Sequence, residues 1–103
     1  MISVLPSRDK AEIYALFKKH NIGTDENSGC VIARTGEEVL GYCLYSLDSK
    51  KITVFTVEPQ DDLMLADGIL RSALHVAAQN LVLDAFYDDS APVDLFKRLG
   101  FIK

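Results

Sequence analysis

The pattern of hydrophobic and polar positions in the first part of the chain predicts one strand and one helix. Ile2 to Leu5 is a short apolar segment with strand character that Pro6 closes, and Ser7 follows where a helix N-cap is expected. Apolar residues then recur at helical spacing, at Ile13, Leu16 and Phe17. The end of this helix is predicted by Lys18, Lys19 and His20 in its last turn and by the sequence Asn21-Ile22-Gly23.

Three β-rich runs follow, and polar breaks separate them. They are Cys30 to Ala33, Val39 to Tyr45 and Ile52 to Val57. Their β-branched and aromatic residues are typical of strands, and Thr35-Gly36-Glu37 between the first two has the composition of a hairpin turn. The pattern therefore predicts an antiparallel meander of three strands.

After Pro59 the hydrophobic period changes from two to 3.6, which predicts an amphipathic helix. Its apolar face would collect Leu63, Ala66, Ile69, Leu70, Ala73, Leu74, Val76 and Ala77. Its polar face would carry Asp67, Gly68, Arg71, Ser72, His75 and Gln79. Leu81 to Phe86 then predicts a strand, and Asp88-Asp89-Ser90 caps a last helix from about Ala91 to Leu99 that Gly100 ends.

The predicted order is β-α-β-β-β-α-β-α in one domain that spans residues 1–103. A strand, a helix and a strand in direct succession imply a parallel pair, whereas the earlier strands form hairpins. The sequence therefore predicts an α/β (α+β) fold with a mixed β-sheet flanked by helices.

Composition and charge narrow the classes of function. The chain has 103 residues, 49% of them apolar and 25% charged, which is ordinary for one globular domain. Eleven basic and fifteen acidic residues give a net charge of −4, so a nucleic-acid partner is not expected. The chain shows neither a signal sequence nor a run of ~20 apolar residues, so we expect a cytoplasmic protein with no membrane partner.

The cysteines and histidines do not form a metal-binding pattern. Cys30 and Cys43 lie in apolar runs without CxxC spacing or a histidine cluster, and His75 has no partner ligand in sequence. We expect both cysteines to be buried thiols and no metal site. One hairpin register would set the two cysteines opposite each other, but a reducing compartment disfavours a disulfide.

Three local features resemble the GNAT acetyltransferase family, over about Cys30 to Phe101. The hairpin Ala33 to Tyr42, with its Gly41-Tyr42 pair, resembles the second and third strands of the family. Val57-Glu58-Pro59 together with Gly68 to Leu74 resembles the fourth strand and the cofactor helix. The segment Asp89 to Phe101, which ends in Leu-Gly-Phe, resembles the last family motif and is the most specific match.

The resemblance implies a GNAT-like fold and an acetyl-CoA site. In the family, the loop after the fourth strand presents backbone N–H groups and a helix dipole to the pyrophosphate, while the splayed fourth strand pairs with the pantetheine arm. By position, the phosphate loop would be about Leu65 to Leu70, and the exposed strand end would be Phe55 to Val57. The cofactor-binding residues that this implies are Phe55, Val57, Ala66, Asp67, Gly68, Ile69, Leu70 and Arg71.

The sequence also departs from the family pattern. Leu70 stands where a second glycine is expected, and Phe96 occupies the position of the usual tyrosine general acid. Negative charge surrounds the expected pyrophosphate position, from Asp61, Asp62 and Asp67.

Three residues are candidates for catalysis, and each also has a structural interpretation. Glu58 is a candidate base or an exposed strand end, and Asp84 is a candidate amine-binding carboxylate or a solvent-facing strand residue. Tyr87 is a candidate replacement acid or a residue that packs at the sheet edge.

The leading hypothesis is an N-acetyltransferase that transfers an acetyl group from acetyl-CoA to a primary amine of a small molecule or peptide. The alternative is a non-catalytic GNAT-like module that binds a ligand or partner, or forms a homodimer. A third possibility is an unrelated α+β domain with the same element order.

Overall fold

A computed structural model of the chain describes residues 2–49, 51–80, 84–87 and 93–98. In these residues five strands and three helices follow one another in the predicted order. The strands are β1 (Ser3–Pro6), β2 (Ser28–Thr35), β3 (Glu38–Leu47), β4 (Lys51–Glu58) and β5 (Asp84–Tyr87). The helices are α1 (Lys10–Lys19), α2 (Leu63–Gln79) and α3 (Val93–Arg98).

The five strands form one mixed sheet in which spatial order equals chain order, β1-β2-β3-β4-β5. The pairs β1–β2, β2–β3 and β3–β4 are antiparallel, and β4–β5 is parallel. The predicted meander and the predicted parallel pair are both confirmed. The parallel pair follows from the helical crossover through α2, because a parallel connection needs a dozen or more residues.

Both faces of the sheet bury apolar side chains. On one face α2 and α3 cover a core that contains, among other residues, Val31, Cys43, Val57, Ile69 and Phe96. On the other face α1 covers a smaller cluster of Phe17, Cys30, Ile32, Tyr42 and Leu44. The predicted apolar face of α2 is confirmed at Ala66, Ile69, Leu70, Ala73 and Ala77, which are buried, whereas Leu63 in the first turn is 41% exposed.

The cap of α1 differs from the sequence prediction. Asp9, and not Ser7, is the N-cap, and its carboxylate accepts hydrogen bonds from the backbone N–H groups of Ala11 and Glu12. Ser7 instead donates to Glu12 Oε1 at 2.8 Å, and Arg34 of β2 pairs with the same carboxylate oxygen. Ser7 was predicted as the cap because it follows Pro6, but the strand ends at Pro6 and the helix begins only at Lys10.

The predicted end of α1 at Asn21-Ile22-Gly23 is confirmed. Asn21 has a φ of 57°, a left-handed conformation that asparagine tolerates better than most residues. Its N–H donates to the Lys18 carbonyl, and the Ile22 N–H donates to the Phe17 carbonyl. These two bonds form a Schellman motif, and Ile22 packs against the cluster that contains Phe17.

The two cysteines lie on opposite faces of the sheet. Cys30 pairs in register with Leu44, and Cys43 pairs with Val31, so the register that would set them opposite each other does not form. Cys43 belongs to the core under α2 and Cys30 to the cluster under α1. Both are free, fully buried thiols, as the sequence predicted.

Some sequence predictions fall outside the described residues. They concern Leu81 to Leu83, the cap Asp88-Asp89-Ser90 and the Leu99-Gly100-Phe101 ending. In the part of the chain that is described, no helix is long and apolar enough to span a bilayer. The same residues contain no group of three or more His, Cys, Asp or Glu side chains placed to hold a metal ion.

Candidate functional site

The end of β4 extends beyond its pairing with β5. The parallel register joins Lys51 to Asp84 and continues as far as Val54 and Tyr87. Within the described residues, the last four positions of β4, 55–58, pair with no β5 residue, and only Thr56, Val57 and Glu58 of them pair with β3. The backbone polar groups on this side of the strand end are therefore the ones that an extended ligand could pair with.

A β-bulge lies where the two strands stop pairing. In the β3–β4 register Leu44 pairs with Thr56 but Tyr45 pairs with Val54, so Phe55 is the extra residue. A bulge bends its strand and increases the local twist, which turns the end of β4 away from a straight continuation. The bulge at Phe55 directly follows Val54, the last β4 residue that pairs with β5 in the described residues.

The side chains of Phe55 and Val57 contribute to the cores and not to a ligand surface. The Phe55 ring packs edge-on against Phe17, with 5.9 Å between the ring centroids, and Val57 is fully buried under α2. Of the predicted cofactor-binding residues, these two are at the strand end where the sequence placed them. Their backbone groups lie at this strand end.

The predicted phosphate loop at Leu65 to Leu70 is wrong in conformation, because these residues belong to the first two turns of α2. The helix begins at Leu63, and Asp62 is its N-cap. The Asp62 carboxylate accepts a hydrogen bond from the Leu65 N–H at 3.1 Å, and the Asp62 carbonyl accepts one from the Ala66 N–H at 2.9 Å. A carboxylate of the protein therefore already occupies the positive end of the α2 dipole.

The remaining predicted cofactor residues of α2 divide by burial. Ala66, Ile69 and Leu70 are buried against the sheet and hold the helix in place. Both carboxylate oxygens of Asp67 accept from Arg71 Nε, at 3.0 and 2.9 Å. The two residues lie one helical turn apart and form an ion pair on the exposed side of α2. No atom lies within 4 Å of a Cβ built on Gly68.

Tyr87 lies beside the position that a general acid was expected to occupy. Phe96 of α3 is 3% exposed, and the Tyr87 ring packs edge-on against it with 6.1 Å between centroids. Tyr87 is the last residue of β5 and is half-exposed, and it pairs in register with Val54, the last β4 residue that pairs with β5 in the described part of the chain. The structure therefore places the candidate acid Tyr87 next to Phe96.

Asp84 lies at the other end of β5. It is the first residue of the strand and pairs in register with Lys51, the first residue of β4. Three residues of extended strand, about 10 Å, separate it from Tyr87. The backbone register therefore does not bring Asp84 to the strand end that holds Phe55 to Glu58.

Glu58 borders a shallow depression of 350 Å³ at the end of β4. Lys19 and His20 at the end of α1 border it on one side, and the start of β3 and Pro59 border it on the other. Within it, His20 Nε2 lies 2.7 Å from the Tyr42 hydroxyl oxygen, and the two rings pack edge-on. Because Tyr42 and Glu58 are register partners on neighbouring strands, their side chains share one face of the sheet.

Burial and charge keep the Tyr42 phenol protonated. Tyr42 is buried in the cluster under α1, and loss of hydration raises its pKa above the ordinary value. The negative charge of Glu58 raises the same pKa further. The hydroxyl can therefore donate one hydrogen bond and still accept another at neutral pH.

Gly41 lets the turn after β4 approach the sheet closely. A Cβ on Gly41 would lie 2.3 Å from the Glu58 carbonyl oxygen, 2.7 Å from Pro59 Cδ and 2.8 Å from Ile69 Cδ1. The Glu58-Pro59 peptide, which is cis, and the α2 side chain Ile69 therefore rest directly on this position. The Gly-Tyr pair noted in the sequence thus has two structural roles, since Gly41 seats the turn and Tyr42 borders the depression.

Sequence reasoning missed the contact between His20 and Tyr42. The two residues are 22 positions apart, and neither lies in a recognisable spacing with the other. The signal that was available is that a histidine ended α1 and a tyrosine followed a glycine in β3. No local pattern shows that the end of α1 reaches that part of the sheet.

Several solved structures with a similar fold are described as acetyltransferases. The chain is similar to a ribosomal-protein-alanine N-acetyltransferase from Brucella melitensis biovar Abortus 2308, with a TM-score of 0.67 and 12% identity over 96% of this chain and 90% of that one. It is also similar to a probable acetyltransferase, with a TM-score of 0.64 and 14% identity over 98% and 90% of the two chains. A GNAT family acetyltransferase from Streptococcus pneumoniae TIGR4 gives a TM-score of 0.63 and 15% identity over 99% and 88%.

These likenesses confirm the predicted GNAT-like fold, a mixed sheet flanked by helices. No protein-family model matches the sequence, and no curated protein sequence matches it. At 12–15% identity the likeness extends to the fold and not to individual side chains.

Proposed function

We propose that the protein is a GNAT-like N-acyltransferase that takes an acetyl group from an acyl thioester such as acetyl-CoA and transfers it to a primary amine. The observation that carries the proposal is the end of β4: the strand bulges at Phe55, and among the described residues β5 does not pair with it after Val54. Three of the similar solved structures are described as acetyltransferases, which supports the same chemistry on this fold.

The residues at the strand end fit the pantetheine arm of acetyl-CoA. That arm contains amide groups that can hydrogen-bond to an extended strand, as an added peptide strand does. Residues 55–58 offer such a strand, and in the described residues β5 does not pair with it. The proposal therefore assigns the arm to the free side of β4, with Phe55 and Val57 acting through their backbones.

The helix N-terminus fits the pyrophosphate poorly. Asp62 fills it with a carboxylate, and Asp61 is exposed beside it. Two charges at 4 Å repel each other by about 1 kcal/mol even in water. Acetyl-CoA would therefore bind mainly through its arm, and its nucleotide would add little affinity.

Tyr87 and Glu58 are the side chains proposed to act near the thioester. Tyr87 would supply a proton to the departing thiolate from its position beside Phe96. Glu58, at the end of β4, would hold the ammonium group of the acceptor by its charge. The acetyl acceptor is proposed to be a small molecule or the amino group of a peptide.

Isothermal titration with acetyl-CoA, S-acetyl-pantetheine and adenosine 3′,5′-bisphosphate tests this proposal. We expect acetyl-CoA and S-acetyl-pantetheine to bind within about threefold of each other, and the nucleotide alone not to bind. Amide chemical shifts of Phe55, Thr56 and Val57 should move with both acyl ligands. Absence of binding by both acyl ligands at millimolar concentration, about −4 kcal/mol, would reject the transferase.

The cap at Asp62 favours one second candidate, a non-catalytic module with the same fold. Phosphate binding at α2 would need free backbone N–H groups at its N-terminus. The Asp62 carboxylate already accepts a hydrogen bond from one of them, the Leu65 N–H. Such a module would bind a ligand or partner, or form a homodimer, without using acetyl-CoA. The same titration separates the two candidates, and sedimentation velocity of the protein tests the homodimer.

A further inference from the structure

The hydrogen-bonded pair of Tyr42 and His20 lies at the mouth of the depression beside Glu58, and the proposed roles of Glu58 and Tyr87 do not use it. Its geometry is specific: the ring nitrogen Nε2 of His20 lies 2.7 Å from the Tyr42 oxygen. Both side chains border the depression, together with Glu58. A hydroxyl that borders a depression and is hydrogen-bonded to an imidazole is arranged to pass on a proton.

A primary amine is protonated near neutral pH and must lose a proton before it can attack a thioester. Two groups in the depression can accept that proton, a carboxylate and an imidazole. The imidazole is hydrogen-bonded to the Tyr42 hydroxyl, which borders the same depression, whereas the carboxylate of Glu58 is assigned to hold the ammonium group by its charge.

We propose that Tyr42 takes up the proton of the acceptor amine and that His20, hydrogen-bonded to it, receives the proton of Tyr42. The ammonium N–H proton moves to Tyr42 Oη while the phenolic proton moves to His20 Nε2. The products are a neutral amine, a neutral phenol and an imidazolium, so charge and protons balance. Tyr42 is the catalytic residue in this scheme, and His20 is a positioning residue that acts through it.

This inference rests on the proposed function for its chemistry, and it names the ligand as a primary ammonium group held between Glu58 and Tyr42. Tyr42 of β3 is hydrogen-bonded to the imidazole, Glu58 of β4 borders the same depression, and Lys19 precedes His20 at the end of α1. The Schellman motif after His20 fixes the end of α1 and therefore the position of the ring.

The composition of the chain supplies an internal control for the binding step. The sequence contains two histidines, His20 and His75. His75 is exposed on α2 and borders a different depression next to β1. The imidazole Hε1 signals of the two residues can be assigned by comparison with His20→Asn, and they report on the two sites separately.

The first experiment is an imidazole NMR titration of the full chain at constant pH and ionic strength, without any acyl donor. Propylamine and L-alaninamide distinguish a plain alkylamine from an amino-acid or peptide amino group, and N-acetyl-alaninamide is the neutral control. We expect His20 to shift with one or both amines and not with the neutral control, while His75 stays unchanged. Equal shifts of both histidines, or none, would overturn the inference.

Variants separate the role of the pair from a role in packing. Tyr42→Phe keeps the buried ring and removes the hydroxyl, and it should abolish the response of His20 to the amines. Glu58→Gln should weaken the response at least fivefold, and Glu37→Gln, which removes an equal charge from the exposed hairpin turn, should leave it unchanged. Should Tyr42→Phe fail to fold, Glu58→Gln still tests binding. Retention of the response in folded Tyr42→Phe would reject the assigned hydroxyl.

Acetylation kinetics complete the test, with acetyl-CoA or S-acetyl-pantetheine as donor. Tyr42→Phe and His20→Asn should lower kcat by about a hundredfold with little change in KM for the donor. An amine response without any donor binding would reject the transferase but keep the amine site. Donor turnover with unchanged kcat in both variants would reject the proton acceptor and keep the transferase.

Discussion

The carboxylate of Asp62 accepts a hydrogen bond from the backbone N–H of Leu65 at 3.1 Å. The Asp62 carboxylate should affect two quantities. It stabilises α2 as its cap, and its negative charge should lower the affinity of the proposed site for the phosphates of acetyl-CoA. Asparagine caps a helix as well as aspartate does but carries no charge. The two effects of Asp62 can therefore be separated by substitution.

Asp62→Asn should leave stability nearly unchanged and increase acetyl-CoA affinity about fivefold, because about 1 kcal/mol of repulsion is removed. Asp62→Ala removes the charge and the cap together, so it should also lower the free energy of unfolding by about 1 kcal/mol. Titration calorimetry and urea unfolding measure the two quantities. Glu37→Gln, which removes an equal charge from the exposed hairpin turn, is the matched control. An acetyl-CoA affinity of Asp62→Asn equal to that of the wild type would contradict the repulsion.

Leu70 and Gly68 should respond in opposite directions to substitution by alanine. Leu70 is 3% exposed in the core, so Leu70→Ala should cost about 2–5 kcal/mol of unfolding free energy. A Cβ on Gly68 meets no atom within 4 Å, so Gly68→Ala should stabilise the helix by about 0.5–1 kcal/mol. Urea unfolding measures both, and destabilisation by Gly68→Ala would show that this part of α2 is not the regular helix described.

Gly41→Ala should be strongly destabilising, because its Cβ would lie 2.3 Å from the Glu58 carbonyl oxygen. Relief requires movement of the turn that connects β4 to α2, and overpacking of this kind costs about 1–3 kcal/mol or more. Gly23→Ala, whose Cβ meets nothing within 4 Å, is the control and should unfold like the wild type. Equal stability of the two variants in urea would indicate that the turn does not rest on Gly41.

The contribution of Glu12 to stability should decrease as the pH falls. Hydrogen bonds from Arg34 and then from Ser7 lower the pKa of Glu12 below its ordinary 4.5. A lowered pKa in the folded state stabilises the protein above the unfolded value and loses that effect as pH falls through the folded value.

Glu12→Gln should therefore cost up to about 1 kcal/mol near pH 7, a small value because both side chains of the pair are partly exposed, and less by pH 3. Urea unfolding from pH 7 to pH 3 measures the difference. Glu37→Gln controls for net charge, and a cost of Glu12→Gln that does not change with pH would contradict the pairing.

Both cysteines should resist thiol reagents until the protein unfolds. Burial raises the pKa of the Cys30 thiol to about 11 and also raises the pKa of Cys43, so little thiolate is present at pH 8. Labelling by a disulfide reagent should be at least a hundredfold slower than in urea, and oxidation of the native protein should give no internal disulfide. Cys43→Ala keeps only Cys30, and Cys30→Ala keeps only Cys43. Rapid labelling of either native variant would contradict the burial of the thiol that it keeps.

Hydrophobic periodicity predicted the elements well because each element buries one face. The order of all eight elements and the apolar face of α2 were correct for that reason. Transfer of positions from the family was less successful: it placed a phosphate loop over Leu65 to Leu70, where the apolar pattern of the same residues already indicated helix. The hydrophobic periodicity of the chain predicted the conformation of this segment correctly, because Ile69 and Leu70 are apolar residues that a helix can bury against the sheet.

The parts of the site that the sequence did not predict depend on contacts between distant segments. The bulge at Phe55 depends on the register between β3 and β4, and register is not encoded in either strand alone. The distance between Tyr42 and His20 depends on how α1 crosses the sheet. Tyr87, which the sequence pattern leaves outside the predicted strand Leu81 to Phe86, is the last residue of β5 and lies beside Phe96 of α3.

The strands lie side by side in the order in which they occur along the chain. A nascent polypeptide can therefore pair β1 to β4 by closing short loops, each of which loses little chain entropy, before the long crossover is complete. Only β5 must wait for α2 to form and pack. We expect the meander to assemble first during folding, and amide hydrogen exchange should find the parallel β4–β5 pair opening more readily than the β2–β3 ladder.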